Sequence, residues 1–455
     1  MSKHKLSPNQ KKSLRAASNQ AIITTLNTLN STFKRELWLG KTNRYRINTL
    51  PRLVKHNDRR NDHNDDLQKY IAVSSILHCF DGWIFLGRAI SALCSGDSHT
   101  SHHLAYYAEL RAAMSLLAGE GIGIFNTKHY VVNDCNHCNL IPDQRNGQKK
   151  NSGTHIFSWL ALEHWAGLIR STKLLRQIIT PSGIPLSTWF DGFGAGVNGV
   201  LIGSEWLKLW GLDLRIIGSD HDGRNEVSYR PNYLNYQSPV QSSDSINFVV
   251  SLWEHFQPTG NSRFEQLDRH LLRLSLRKIF LAITGNNPED DVEGFQSRIR
   301  SMLANVNPQG LPYESWLSFL SSNGSSPILD SATLNENVTN SNRHHFSVIA
   351  RASLLLRVAS GAVSRILTES NITKDDVSFW WKTYGNDFGI MESNLNIENM
   401  MDLWSDIEVA LNSIADLGQT HNPMSLSYYK CGQILGKELK RLEECERVSY
   451  WGLGL

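Results

Sequence analysis

Apolar residues in this chain come in long runs that lack the period-2 alternation of a half-buried strand. Residues 67–95 (LQKYIAVSSILHCFDGWIFLGRAISALCS) and 103–118 (HLAYYAELRAAMSLLA) are rich in Leu, Ala and Ile, and Ser101 or His102 is placed to cap the second run. The same texture returns at 155–178, 199–210, 245–256, 264–284, 291–304, 346–369 and 400–416, broken at clusters of Gly, Pro and Asn. The pattern predicts a mainly α protein. Loops are expected at 133–153, 180–198, 230–244 and 321–344; the last is long, rich in Ser and Asn, and suits a boundary between two helical halves.

The run 103–118 carries more information than its neighbours. At about 100° per residue, Leu104, Ala108, Arg111 and Ser115 form one stripe, with Tyr106, Leu110, Ala113 and Leu117 on the opposite side. Both sides are largely apolar, so the helix is expected to be buried. Glu109 and Arg111 must then find partners or line a cleft, because an unpaired buried charge costs several kcal/mol, on the order of 3–5. Asp81 and Glu120 are the carboxylates a structural pairing of Arg111 would use. Arg351, Arg357 and Arg365 pose the same choice between packing and binding on 346–369.

Composition narrows the class. The chain has 455 residues, 40% of them hydrophobic, which is enough for sizeable cores and two or three domains. No stretch of about 18 or more uncharged apolar residues appears, and the polar, basic residues 1–20 lack the apolar core of a signal segment. A cytoplasmic protein without a membrane partner is expected. The six cysteines (Cys79, Cys94, Cys135, Cys138, Cys431, Cys445) are sparse and read as thiols. Net charge is +3, but residues 1–60 hold 14 Lys and Arg against Glu36 and Asp58, a balance of +12 that leaves −9 for the rest. A basic arm over residues 1–66 is therefore expected. Lys34, Arg35, Arg44, Arg46, Arg59 and Arg60 are its candidate nucleic-acid contacts, with Phe33, Trp38 and Tyr45 available to stack on bases. A solvated terminal charge run is the alternative.

Several short motifs carry little. Gly119-Glu120-Gly121-Ile122-Gly123 follows a helix, where a dinucleotide loop would follow a strand, and reads as a helix stop. Cys135-Asn136-His137-Cys138, with His129 upstream, has a spacing that suits half of a zinc site, but no second cysteine pair follows and the remaining ligands would have to be histidines such as His99, His102 or His103. His155, Glu163 and His164 lack the HExxH spacing of a metallopeptidase. No metal or cofactor is expected.

The stretch Glu205–Pro231, EWLKLWGLDLRIIGSDHDGRNEVSYRP, is different. Trp206, Leu207, Leu209 and Trp210 predict a short apolar helix stopped by Gly211, after which Asp220 or Asp222 is expected to cap a new turn opened by Arg224 and Asn225. A permanently charged Arg can brace a phosphate, an Asn can orient neighbours, and a group titrating near neutrality must move the proton of a 2′-hydroxyl. His221, three residues before Arg224, is the candidate proton carrier. Tyr229 has the wrong ordinary pKa, about 10, and on a regular helix points about 140° from Arg224. It is better cast as a wall or hydrogen-bonding residue. An ion pair of Arg224 with Asp220 or Asp222 is the structural alternative.

The segment His103–Ala113 together with Arg224-Asn225-x-x-Ser228-Tyr229 resembles the HEPN superfamily, closest to its YaaC-like bacterial branch, over roughly residues 68–285. Tyr229 stands where that family's motif has histidine, and the spacing Arg215 to His221 also falls within the family's loose Arg-to-His separation. The resemblance implies a helical bundle over 67–290 with an additional C-terminal helical region over 291–455. It implies a metal-independent ribonuclease that often dimerises and serves as a toxin or in anti-phage defence, with Arg224 and Asn225 as site residues. His221 and Tyr229 would complete the catalytic group, with Arg111 and Asp220 lining the cleft. The alternative is a catalytically degenerate HEPN-like nucleic-acid-binding or scaffold subunit of a defence complex.

Overall fold

A computed structural model describes residues 5–55, 64–142, 152–195, 201–229, 240–324, 326–333, 344–390, 400–420 and 426–454. The protein is mainly α, as the patterning predicts. The N-terminal part forms α1 Pro8–Arg15, α2 Asn19–Asn27, α3 Asn30–Phe33 and α4 Thr49–Lys55, followed by α5 Asn64–Cys94 and α6 Ser98–Gly119. A small sheet follows, β1 Ile122–Phe125, β2 Lys128–Val132 and β3 Cys138–Leu140, and then α7 Thr154–Ala166, α8 Ile169–Ile178, α9 Leu186–Gly192, α10 Gly203–Leu209 and α11 Leu214–Tyr229. The remainder is helical: α12 Ser242–Phe256, α13 Glu265–Thr284, α14 Val292–Val306, α15 Tyr313–Ser321, α16 Pro327–Thr333 and α17 His344–Glu369. The chain then runs through α18 Ser378–Asp387, α19 Met400–Thr420, α20 Tyr428–Leu442 and α21 Glu446–Leu453.

Helices α5, α6 and α17 pack together at the centre, and this explains why their sequences are apolar all round. By length and composition α5 and α17 could cross a membrane, but the apolar window of each is mostly buried inside the molecule, 67% and 94% respectively. They are core helices. Trp83 on α5 donates its ring N–H to Ser360 Oγ on α17 at 3.0 Å, which satisfies the indole where no water reaches it. Lower on α17, Arg357 grips Asp268 of α13 through two bonds of 2.8 and 2.6 Å and donates to Ile178 O at 2.7 Å; Asp268 also accepts from Thr180 N at 2.8 Å. Arg365 is paired along the helix surface with Glu369.

The antiparallel sheet, order β1-β2-β3, is absent from the helical pattern of the sequence. Its first strand hides in the glycine cluster that stops α6. Gly121 adopts φ +83°, where a Cβ would also lie 2.9 Å from Ser18 O, and Ile122 then pairs with Val131. Two expected loops also contain helices, α9 within 180–198 and α16 within 321–344, since Leu186, Trp189, Phe190, Ile328 and Leu329 supply enough apolar surface to dock short segments.

The N-terminal segment is tied to the body. Leu14, Ile22, Leu26 and Phe33 are buried in a hydrophobic core that runs on to Leu453. The expectation that its rings stack on bases is overturned. Phe33 and Tyr45 are buried, and Trp38 sits edge-on to Phe33, Phe379 and Trp380, so these side chains are used in packing. Lys34, Arg35, Arg44 and Arg46 are exposed; Arg59 and Arg60 lie outside the described residues.

Candidate functional site

Helix α11 starts earlier than the sequence suggested. Asp213 precedes it, its carbonyl accepting from Ile216 and Ile217 N at 2.9 and 3.2 Å and its carboxylate held by Arg215 at 3.0 and 2.8 Å. Those bonds hold the Asp213 carboxyl below the usual carboxylate range. Asp220 and Arg224 are therefore interior helical residues, and the expected cap and new turn at 220–225 do not occur. Asp220, Arg224 and Ser228 recur every four residues, so they share a face, and α11 packs that face against α6 and α7. Gly223 permits the approach: a Cβ there would lie 3.1 Å from His102 Cε1.

At the first turn of this face Asp220, 1% exposed, accepts from Arg351 Nε and Nη2 at 3.1 and 2.7 Å. Arg351 is itself 1% exposed. Glu109 Oε1 lies 3.6 Å from the same guanidinium, which also donates from Nη1 to Ala332 O at 3.4 Å. Full burial, then the nearby Asp220 charge, push the Glu109 carboxyl well above its ordinary value. Both causes favour the protonated form; with Glu109 neutral, the three buried groups balance as one cation and one anion. His344 Nε2 stands 3.8 Å from Asp220 Oδ1 and its ring 4.9 Å from that of His102. Burial first, and then the neighbouring His344 and Arg351, push His102 down to about 3.

One turn on, Arg224 is built differently. It is 8% exposed, its Nε is buried without a hydrogen-bond partner, and among the described residues no carboxylate lies within ion-pair distance. Its guanidinium instead rests 5.7 Å from the ring centre of Tyr106 and 5.8 Å from that of Tyr107. Aromatic faces attract a cation but accept none of its N–H groups in the plane, so the donors remain available to an anion. His221 joins the group, its ring 6.1 Å from Tyr106 and 5.5 Å from His155. The Tyr106 hydroxyl is 3.0 Å from His155 Nδ1. Burial raises the Tyr106 phenol; burial, Arg224 and His221 together push His155 down to about 4. At the far end, Ser228 Oγ donates to Arg224 O at 2.7 Å and lies 2.7 Å from His103 Nδ1. Burial and Arg224 also lower His103.

The candidate residues thus divide. Arg224 and His221 both lie against Tyr106, with Asp220 one turn away on the same helix; Asn225 is half-buried beside Arg224 in the chain. Tyr229 ends α11, but its side chain and that of Asp222 lie outside the described residues. Arg111 faces α5 instead, donating to His78 Nδ1 at 2.8 Å with Asp81 3.6 Å away. Arg215 is occupied by Asp213. Glu120, the other carboxylate considered for Arg111, pairs with Arg170 at 3.3 Å and accepts from Trp165 Nε1.

The zinc half-site is a turn of the β2–β3 hairpin in which Asn133 Oδ1 accepts from Cys135 N and His137 N. His129 is buried, stacked on Phe157 and bonded to Ser152 O at 2.9 Å. Among the described residues no three His, Cys, Asp or Glu side chains converge to hold a metal ion. The residues that sequence patterning missed are His103, Tyr106, Tyr107, His155 and Ser228. The spacing of 103 with 106 and 107 does put those three on one helical face, but His155 gives no local signal.

A cation with open donors, flanked by three imidazoles, can hold an anion and exchange protons beside it. The class defined by fold and site is a mainly α protein with an anion-receptive arginine in a histidine- and tyrosine-lined cluster. Comparisons with protein-family models, curated proteins and solved structures found no significant match.

Proposed function

We propose that this chain is a HEPN-like, metal-independent RNA-cleaving protein, of the kind that serves as a toxin or anti-phage effector in the cytoplasm. The observation that carries this reading is Arg224, a nearly buried guanidinium stacked on Tyr106 and Tyr107 with no carboxylate neutralising it among the described residues. A structural arginine at such depth is normally paired. An unpaired one is suited to a phosphate, and a ribonuclease would place the scissile phosphate on it, with Asn225 orienting and His221 exchanging the proton. The purified chain should cleave RNA equally with and without EDTA, and Arg224→Ala should remove the activity while leaving the melting temperature near that of the parent. Unchanged cleavage by Arg224→Ala ends the assignment.

The exposed Lys34, Arg35, Arg44 and Arg46 favour a second reading, a nucleic-acid-binding subunit without turnover. That reading requires salt-dependent RNA binding that weakens when these four residues are neutralised, with no product formed.

A further inference from the structure

Cleaving RNA through its own 2′-hydroxyl requires two proton transfers on opposite sides of the phosphorus, one from the attacking oxygen and one to the departing 5′-oxygen. The cluster holds an imidazole on each side of Arg224 along α11. His221 precedes Arg224 by about 4.5 Å of helix rise, and Ser228, which carries His103, follows it by about 6 Å. His103 comes from α6, far from the arginine motif in sequence, and is held by a 2.7 Å bond between its Nδ1 and Ser228 Oγ.

The hydrogen-bond chain fixes which nitrogen can act. Ser228 has one hydroxyl hydrogen and gives it to Arg224 O at 2.7 Å, so its oxygen must accept from His103 Nδ1–H. The other ring nitrogen, Nε2, then carries the lone pair, and the one hydrogen bond seen to this ring among the described residues is that of Nδ1. Arg224 fixes the carbonyl that orients Ser228, and Ser228 fixes the base. The groups facing His103 are Arg224 and Ser228 from α11 and Tyr107 from its own helix, its ring 5.1 Å away. No carboxylate competes for its proton among them. Burial and the Arg224 charge both favour the neutral ring, the form a base needs.

Building on the ribonuclease reading, we propose that His103 is the general base of this site and His221 its general acid, so that one chain supplies both proton carriers and Tyr229 needs no histidine in its place. His103 Nε2 takes the 2′-hydroxyl proton as the 2′-oxygen bonds to phosphorus. The bond from phosphorus to the 5′-oxygen breaks with its electron pair, and protonated His221 gives that oxygen a proton. The products are a 2′,3′-cyclic phosphate and a 5′-hydroxyl; exchange with water returns each imidazole to its starting state. Arg224 neutralises the phosphate throughout.

The test uses the full chain, an RNA oligonucleotide, fully 2′-O-methylated RNA as a probe that binds but lacks the nucleophile, and a diribonucleotide whose 5′-bridging oxygen is sulfur. His103→Gln should lower kcat by about 10²–10⁴-fold and abolish the acidic limb of the pH profile, while binding the methylated RNA within about twofold of the parent. Sulfur leaves without a proton, so the thio substrate should restore cleavage by His221→Gln and leave His103→Gln inactive. Ser228→Ala, which keeps the imidazole and loosens its orientation, should lower kcat by about tenfold without changing that affinity. Parental rates in His103→Gln beside a dead Arg224→Ala overturn the base and spare the ribonuclease reading. Restoration of His103→Gln by sulfur makes it the acid and also overturns the assignment. A parent chain that yields no cyclic phosphate removes both readings.

Discussion

Two arginines meet α11 one turn apart, and their surroundings are opposite. Arg351 is sealed between Asp220 and Glu109, and its charge is met by the Asp220 carboxylate through two hydrogen bonds. Arg224 is almost as deep, yet it lies on two aromatic rings and among the described residues has no anion. The difference teaches that depth alone does not separate scaffold from site; charge closure does. A closed pair is complete without a ligand. An open one has donors left over, and three imidazoles are gathered around it.

Breaking the closed pair should produce the largest stability effect. Asp220→Ala removes the carboxylate that takes two of Arg351's hydrogen bonds and leaves only Glu109, 3.6 Å away, facing the guanidinium, and the expected loss is about 3–5 kcal/mol in urea unfolding. The same comparison can be sharpened at Glu109. Because its burial beside Asp220 favours the neutral form, Glu109→Gln should cost less than about 1 kcal/mol at pH 7. Equal losses from the two substitutions would mean that both carboxylates are ionised and that the balance assigned to this triad is wrong.

The open arginine should behave in the reverse way. Arg224→Ala removes no ion pair among the described residues, and two cation–π contacts are worth about 0.5–1 kcal/mol each, so thermal unfolding should shift little. Cleavage should fall by about 10²–10³, the usual effect of deleting one preorganised donor to a developing oxyanion. Arg224→Lys, which keeps the charge but loses the planar fork, should recover only part of the rate. A large stability loss with proportionate loss of activity would place Arg224 with Arg351 as scaffold.

Much of the fold was legible, because α5, α6, α13 and α17 announce themselves in long apolar runs that tertiary packing then uses on every side. The sheet was not. Its strands are short, β1 is fused to a glycine cluster that ends a helix, and pairing such as Ile122 with Val131 leaves no local trace. Segments such as 428–442, α20, escaped because their apolar residues Leu435, Leu439 and Leu442 are few and only one face is buried. At the site, Arg224 and His221 could be picked out because they are neighbours in sequence on one helix. His103 and His155 belong to other helices, and only the packing of α11 on α6 and α7 brings their rings beside the arginine. Arg111 illustrates the opposite failure: a helical wheel places it correctly on its own helix but cannot say that α5 occupies that side.

Acid should weaken the closed side in a defined window. His102 has an ordinary value of 6.5 and is pushed to about 3 in the folded chain, so below pH 6.5 the unfolded chain binds a proton that the folded chain refuses. The stability it contributes is full above pH 6.5 and is lost as pH falls toward 3. Between 6.5 and 5 this amounts to about 2 kcal/mol for a fully buried ring. Glu109 works in the opposite sense above its ordinary 4.5, since its raised folded value favours the protonated folded form as pH falls. The informative quantity is therefore the difference in urea midpoint between the parent and His102→Gln at pH 7.5 and at pH 5. A gap that does not change with pH would show that His102 titrates alike in both states.

The smallest effect is expected at Arg111, and it tests where the open cluster stops. Arg111 follows Tyr107 by one turn of α6, so it stands beside the ring that carries Arg224. Yet it is tied to His78 and Asp81 and its side chain is 31% exposed, so water can replace most of what its loss removes. Arg111→Ala should change stability by less than about 1 kcal/mol and cleavage by less than about threefold, measured with the same RNA used for Arg224→Ala. If activity instead falls a hundredfold while unfolding is unchanged, a paired arginine is serving the site. Charge closure would then fail as the criterion that separates Arg224 from Arg351, and the cluster would have to extend across Tyr107 to α5.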